Sequence, residues 1–148
     1  MTESHRTSAH ATNGARTINQ TVAAVFGVVY LLVGVLGFFV DSDGFAARTG
    51  GKLFGIFEVN PLHNVAHLLI GALLLVAART LSSARAANTG VGAVYLLLGI
   101  VGLFILDSDA NILALNGADN ALHLVSAAVL LGVGASADKD ARANSTVR

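Results

Sequence analysis

The sequence predicts an all-α polytopic membrane protein whose four transmembrane helices form a tandem repeat of two helical hairpins. Three observations predict this fold. Hydrophobic residues make up 54% of the 148 residues and charged residues only 12%. The chain contains four apolar stretches, and its second half reproduces the pattern of its first half. Such a composition is far from that of soluble domains, so lipid is the expected solvent.

The predicted spans are the four apolar stretches, none of which contains Lys or Arg. They cover residues 21–40, 59–78, 90–106 and 118–135. A helix needs about 20 mostly apolar residues to cross a bilayer, and each stretch approaches that length. We expect one transmembrane domain over residues 18–136. The polar residues 1–17 and 137–148 predict disordered tails on the cytoplasmic side.

The orientation is predicted from the placement of charge. Lys and Arg favour the cytoplasmic side of short loops. The segments expected on one common side contain Arg6, Arg16, Arg79, Arg85, Lys139, Arg142 and Arg148. The opposite loops contain only Arg48 and Lys52 as basic residues, against six acidic residues: Asp41, Asp43, Glu58, Asp107, Asp109 and Asp119. Both termini are therefore predicted to be cytoplasmic.

The internal repeat is visible in both helices of each hairpin. Spans one and three align at an offset of 65, which pairs Tyr30 with Tyr95 and also pairs Gly27, Gly34 and Gly37 with Gly92, Gly99 and Gly102. Each of these spans is followed directly by Asp-Ser-Asp. Spans two and four align at an offset of 56. This arrangement predicts two hairpins related by an approximate twofold axis along the membrane normal.

Two polar stripes start at the external ends of spans two and four. Their members recur at i, i+3, i+4 and i+7, which places each set on one helix face. The first stripe is Asn60, His63, Asn64 and His67, and the second is Asn116, Asp119, Asn120 and His123. We expect the stripes to face each other. Tyr30 and Tyr95 should reach the depth of the deepest histidines and hydrogen-bond to them.

A metal site is one hypothesis for these stripes, because ionisable groups at membrane depth mark candidate functional sites. Imidazole and carboxylate groups suit Zn, Fe, Cu or Ni. The candidate ligands are His63, His67, Asp119 and His123. The asparagines that would orient the imidazole rings are Asn60, Asn64, Asn116 and Asn120. A haem between His67 and His123, beside Tyr30 and Tyr95, is less favoured because small residues flank these histidines.

The sequence favours a simpler hypothesis, in which the stripes hold the helices together. Each interhelical hydrogen bond in a membrane contributes about 0.6–2 kcal/mol. The chain would then be a non-enzymatic bundle that contacts lipid and either a second copy of itself or another membrane protein. A path for protons or solutes along the His, Asp and Tyr groups is a further alternative.

Several other functions find no support in the sequence. The chain has no cysteine, which excludes disulfides, thiolate metal sites and thiol nucleophiles. Its net charge of zero indicates no affinity for nucleic acid. It also lacks a phosphate-binding loop and a Gly-x-Ser-x-Gly nucleophile elbow.

One family resemblance is carried by the segment 53–67, LFGIFEVNPLHNVAH, followed by Gly71. This segment resembles a domain-of-unknown-function family of small four-helix membrane proteins found largely in actinobacteria. The resemblance extends over most of residues 22–135 and includes the shorter copy at 116–123. It implies four spans and a plasma-membrane location. It implies no known activity and no established catalytic residues.

Overall fold

The computed structural model describes residues 15–40 and 43–138. Its four α-helices are α1 (Ile18–Gly37), α2 (Pro61–Ala77), α3 (Leu81–Ile105) and α4 (Gly117–Ser136). Between α1 and α2, strands β1 (Gly51–Leu53) and β2 (Phe57–Val59) form an antiparallel hairpin. The predicted all-α class is confirmed, with this hairpin as an addition. Most of both predicted tails and the Asp41-Ser42 pair lie outside the described residues.

Three of the four helices, α1, α3 and α4, are long and apolar enough to cross a membrane. Helix α2 is also apolar but has only 17 residues. At 1.5 Å per residue it is about 25 Å long, near the lower limit for a span. Large apolar side chains such as Phe104 and Leu97 are 82% and 62% exposed, as expected of a surface that faces lipid.

All four helices run between the same two ends of the bundle. At one end, called here the Arg79 end, the Gln20 side chain at the start of α1 donates to the carbonyls of Ala78 and Arg79 after α2, at 3.1 Å each. At the other, the hairpin end, the Asn60 side chain before α2 donates to Ile112 O in the loop between α3 and α4, at 2.8 Å. The helices therefore alternate in direction.

Helix α3 begins at Leu81, well before the predicted span 90–106. Thr80 caps its first turn by accepting a hydrogen bond from Ser83 N. The helix continues through the polar residues Arg85 and Asn88, which a search for apolar residues excludes. Arg85 is accommodated because its Nε donates to Gly134 O of α4 at 3.0 Å.

Glycines bring α1 against α2 and α3 against α4. A Cβ added at these glycines would collide with the partner helix, so only Gly permits the close approach. Three contacts between α1 and α2 recur between α3 and α4, with the glycine 65 residues later and its partner 56 residues later. Gly27–Leu75 recurs as Gly92–Leu131, Gly34–Leu68 as Gly99–Leu124, and Gly37–Asn64 as Gly102–Asn120.

A buried polar network joins three helix termini at the Arg79 end. Asn88 Nδ2 donates to the backbone and side-chain oxygens of Asn19, at 3.1 Å each. The Asp138 carboxylate after α4 accepts from Asn19 N at 2.8 Å and from Ile18 N at 3.3 Å. Asn19 and Asn88 are completely buried. Both residues lie just outside the predicted apolar spans, so the sequence did not indicate that they are buried.

A buried apolar layer lies between this network and the middle of the bundle. Leu74 of α2 and Leu130 of α4 are completely buried and belong to one cluster with Ala23 and Val91. Along α2 and α4, this layer lies about two turns from the deepest histidines of the polar stripes. The polar groups of the two halves of the bundle are therefore separated by hydrocarbon.

Candidate metal centre

Three histidines meet between α2 and α4. His63 and His67 lie on successive turns of α2, and His123 comes from α4. The ring centroid of His63 lies 4.4 Å from that of His67 and 5.9 Å from that of His123. One ligand nitrogen from each of the three side chains lies within 4.8 Å of the others, and all three residues are buried. This set is called the three-histidine cluster below.

The position of His63 follows from how α2 begins. Asn60 is the N-cap residue, and its Oδ1 accepts from His63 N at 2.9 Å. Its Nδ2 donates to Ala47 O and Ile112 O, at 2.8 Å each. Pro61 occupies the first helical turn, where its missing N–H costs nothing. Asn60 therefore anchors the helix through backbone contacts.

Asp119 has the corresponding place at the start of α4. It forms a capping box with Asn116, in which each side chain accepts from the other residue's backbone N–H at 3.0 Å. The same carboxylate oxygen, Oδ2, accepts from Glu58 N of β2 at 3.2 Å. The Asn116 side chain donates to Ile56 O of the hairpin. Of the four predicted ligands, the structure brings together the three histidines, whereas the carboxylate of Asp119 accepts hydrogen bonds from backbone amides.

Tyr30 and Tyr95 lie against the cluster, but not in the expected way. The ring of Tyr30 stacks on His67 and the ring of Tyr95 on His123, with centroids 5.6 Å and 4.9 Å apart. Neither buried hydroxyl makes a hydrogen bond of ordinary geometry within residues 15–40 and 43–138. The two hydroxyls lie near each other, and that of Tyr30 also lies near Ser126. The expected Tyr to His hydrogen bonds do not form because a hydroxyl in the ring plane points past a stacked imidazole.

The cluster contains buried nitrogens that nothing in the described part of the chain satisfies. The Nδ1 atoms of His63, His67 and His123 all lack a hydrogen-bond partner there. The side-chain amide of Asn120 and the Oδ1 of Asn64 also lack a hydrogen-bond partner there. Asn120 lies against Gly102, and Asn64 lies against Gly37. A buried polar group without a partner costs about 1–3 kcal/mol. Such a group in a native protein therefore calls for a ligand, a water or an ion.

A small cavity of about 20 Å³ adjoins the three imidazoles and the ring of Tyr95. Ala66, Ile70, Leu98 and Leu113 complete its wall. A space of at least about 10–15 Å³ admits one water-sized occupant. The exposed wall of the cavity is apolar, and a porphyrin does not fit this volume, so the geometry gives no support to a haem between His67 and His123.

A polar cleft of about 320 Å³ opens at the hairpin end above this region. Glu58 and Asn116 line it, and both are hydrogen-bonded to Asp119. Two other residues of its lining interact, since Arg48 Nη1 donates a hydrogen bond to Asp107 O at 3.1 Å. The β-hairpin, which follows α1, thus covers the start of α4.

Comparison with known proteins gives a family and no activity. No curated protein and no solved structure shows a significant match to the chain. One family, described as a domain of unknown function, matches residues 20–136. The match covers all four helices almost completely. The family resemblance inferred from the sequence is confirmed, and the chain belongs to the family of the domain of unknown function DUF4383.

Proposed function

We propose that this membrane protein binds one transition-metal ion between α2 and α4, with His63, His67 and His123 as its ligands. The observation that carries the proposal is the convergence of three buried imidazoles, whose ligand nitrogens lie within 4.8 Å of one another. Their Nδ1 atoms have no hydrogen-bond partner among the described residues. The proposal is a binding function without a catalytic step.

The packing hypothesis accounts for less of this arrangement. If the stripes only held helices together, their side chains should hydrogen-bond across the helix interfaces. The described hydrogen bonds of Asn60, Asn116 and Asp119 instead go to backbone groups near the helix N-termini. The deeper imidazoles lack such bonds through Nδ1. A bound cation would interact favourably with all three rings at once.

The donor set suits the later first-row metals. Imidazole nitrogen is a common ligand of Zn, Cu, Ni and Fe. With metal–nitrogen bonds of about 2.0–2.1 Å, two ligands of a tetrahedral site lie about 3.3 Å apart. Nitrogens within 4.8 Å therefore need to approach by about 1.5 Å or less. Three histidines leave a fourth position for water or another ligand.

We also infer that the chain arose as a tandem repeat of two hairpins. The paired glycine contacts support this, because both members of each contact shift by the same two offsets. The stacked pair Tyr30–His67 recurs as Tyr95–His123 at those offsets. His63 has Asp119 as its counterpart, so the cluster takes two ligands from the first repeat and one from the second.

The orientation that we propose has the Arg79 end in the cytoplasm of a cell whose plasma membrane holds the protein. Among the described residues, that end contains Arg16, Arg79 and Arg85 against Asp138. The hairpin end contains Arg48 and Lys52 against five acidic residues, Asp43, Glu58, Asp107, Asp109 and Asp119. This asymmetry follows the preference of basic residues for cytoplasmic loops. The three-histidine cluster then lies in the external half of the bundle.

A path for protons or solutes through the bundle finds less support. Leu74 and Leu130 belong to the buried apolar layer between the three-histidine cluster and the Asn19–Asn88 network. A proton path needs consecutive groups within hydrogen-bonding reach or water between them, and the side chains of Leu74, Leu130, Ala23 and Val91 provide no polar atom for either.

The test is the metal content of the purified protein. The full chain is extracted in mild detergent without chelators or a nickel column, and its metals are counted by elemental mass spectrometry. We expect about one metal ion per chain. The variant His67→Ala/His123→Ala should lose it, whereas His5→Ala/His10→Ala, which removes the two histidines outside the described residues, should retain it.

A folding control separates ligand loss from unfolding. His67→Gln/His123→Gln keeps side chains of similar size. In size-exclusion chromatography, the elution volume of this variant should match that of the natural protein. A natural protein that holds no metal, and that takes up neither Zn²⁺ nor Cu²⁺ on titration, would refute the proposal. Equal metal content in the natural protein and both cluster variants would do the same.

A further inference from the structure

A groove between α2 and α3 lies on the lipid-facing side of the Arg79 end. Its volume is about 750 Å³ and its walls are almost entirely apolar, with Leu73 and Val76 from α2 facing Val91 and Val94 from α3. It extends from Ile70 to the turn at Thr80. At 1.5 Å per residue this length is about 15 Å, which is half of a hydrocarbon core about 30 Å thick.

The mouth of the groove is basic. Arg79 lies there beside Thr80 and Ser83, and no acidic residue lines the groove. Two other arginines of the described chain donate to backbone carbonyls, Arg85 to Gly134 O and Arg48 to Asp107 O. The side chain of Arg79 is exposed and has no hydrogen-bond or ion-pair partner within the described ranges.

We propose that the groove binds an anionic phospholipid, with an acyl chain between α2 and α3 and the phosphate at Arg79. The depth of the groove matches one leaflet, and its apolar walls suit hydrocarbon. An arginine at the mouth forms charge-assisted hydrogen bonds to phosphate. A net negative headgroup is favoured over a zwitterionic one because the mouth contains a cation and no carboxylate to pair with choline.

The test measures which lipid remains on the protein. The full chain is reconstituted in vesicles of phosphatidylglycerol and phosphatidylcholine in equal amounts, extracted into mild detergent, and analysed by native mass spectrometry. The natural protein should retain one phosphatidylglycerol per chain, with a preference of about fivefold over phosphatidylcholine. Arg79→Gln should abolish that preference, whereas Arg16→Gln, at the same end but outside the groove, should preserve it.

A second pair of variants tests the groove itself. Gly90 lines the groove and has open space where a Cβ would lie, so Gly90→Trp should fill the groove and reduce retained lipid of both kinds. Gly132 has the same open surroundings on α4 but does not line the groove, so Gly132→Trp is the matched control. Equal retention of both lipids by the natural protein, or an undiminished preference in Arg79→Gln, would overturn the proposal.

Discussion

The imidazole of His67 stacks on the ring of Tyr30, with ring centroids 5.6 Å apart and planes within 7° of parallel. Tyr95 and His123 repeat this relationship, and the two tyrosines meet edge to face at 5.4 Å. Because each ring comes from a different helix, these aromatic contacts join all four helices. The depth and tilt of the imidazoles therefore depend on α1 and α3 as well as on their own helices.

The first prediction concerns the ring of Tyr95, which is 2% exposed. Tyr95→Phe keeps the stacked ring and removes a buried hydroxyl without a partner in the described structure, so the melting temperature should stay the same or rise. Tyr95→Leu loses the stacking on His123 and should lower the free energy of unfolding by about 1–3 kcal/mol. Thermal denaturation in detergent checks both. A larger loss in the Phe variant would show that the hydroxyl is bonded.

The second prediction separates Asp119 from the three histidines. Asp119 Oδ2 accepts from two backbone N–H groups, and Asp119→Asn keeps an acceptor oxygen but removes the negative charge near the start of α4, so it should destabilise the fold by about 0.3–1 kcal/mol. The metal content per chain should remain that of the natural protein, whereas His63→Ala should reduce it. Elemental analysis and melting curves on the same samples measure both effects. Metal loss in Asp119→Asn without a change in stability would make Asp119 a ligand.

The third prediction tests the close approach of α3 to α4. A Cβ at Gly102 would collide with the side chain of Asn120, so Gly102→Ala should destabilise the bundle by about 1–3 kcal/mol. Combining it with Asn120→Ala should restore part of the loss, because the colliding amide is removed. Gly117→Ala serves as the control, since a Cβ there meets open space. Strict additivity of the two changes would refute the contact.

The fourth prediction concerns pH and the link between α1 and α4. Slight burial raises the pKa of Asp138, but hydrogen bonds from Asn19 and Ile18 outweigh it and hold the pKa below the ordinary value of 3.8. A carboxylate with a depressed pKa stabilises the folded state above its unfolded pKa, and this contribution disappears as pH falls through the folded pKa.

Asp138→Asn should accordingly lower the melting temperature at pH 7, and this effect should shrink as the pH falls below 3.8 and the carboxylate becomes protonated. The exposed Asp109 caps no helix, and Asp109→Asn should leave the melting temperature unchanged over the same pH range. Melting curves across this range in one detergent provide the measurement. An effect of Asp138→Asn that persists unchanged at low pH would mean that the charge is not responsible.

The fifth prediction concerns orientation. The chain has no cysteine, so single cysteines report their own accessibility. Ala110→Cys, exposed at the hairpin end, should react with a membrane-impermeant maleimide in intact cells. Ser82→Cys, exposed at the Arg79 end, should react only after the cells are opened. The reverse pattern would place the acidic hairpin end in the cytoplasm.

The four helices could be predicted from the sequence because apolar length and helical periodicity are local properties of the chain. The same periodicity predicted one polar face for His63, Asn64 and His67, which are all buried in α2, whereas Asn60 caps the helix instead of belonging to it. These predictions needed no knowledge of which helix lies beside which.

Other features depended on contacts between distant segments. The sequence placed Asp119 with the histidines by spacing alone, but the backbone amides of Asn116 and Glu58 compete for its carboxylate. Asn19 and Asn88 became a pair only because the starts of α1 and α3 meet. Arg85 of α3 likewise finds its acceptor, Gly134 O, only because α3 lies beside α4.

The sequence by itself thus determined the number of helices, which faces are polar, and which glycines recur in both halves of the chain. The tertiary structure decided which imidazoles converge, that the tyrosines stack on them, and that a groove with Arg79 at its mouth opens between α2 and α3. The physical reason is that helical periodicity sets the direction of a side chain around its own axis. The rotation and spacing of neighbouring helices are set by packing between residues far apart in the chain.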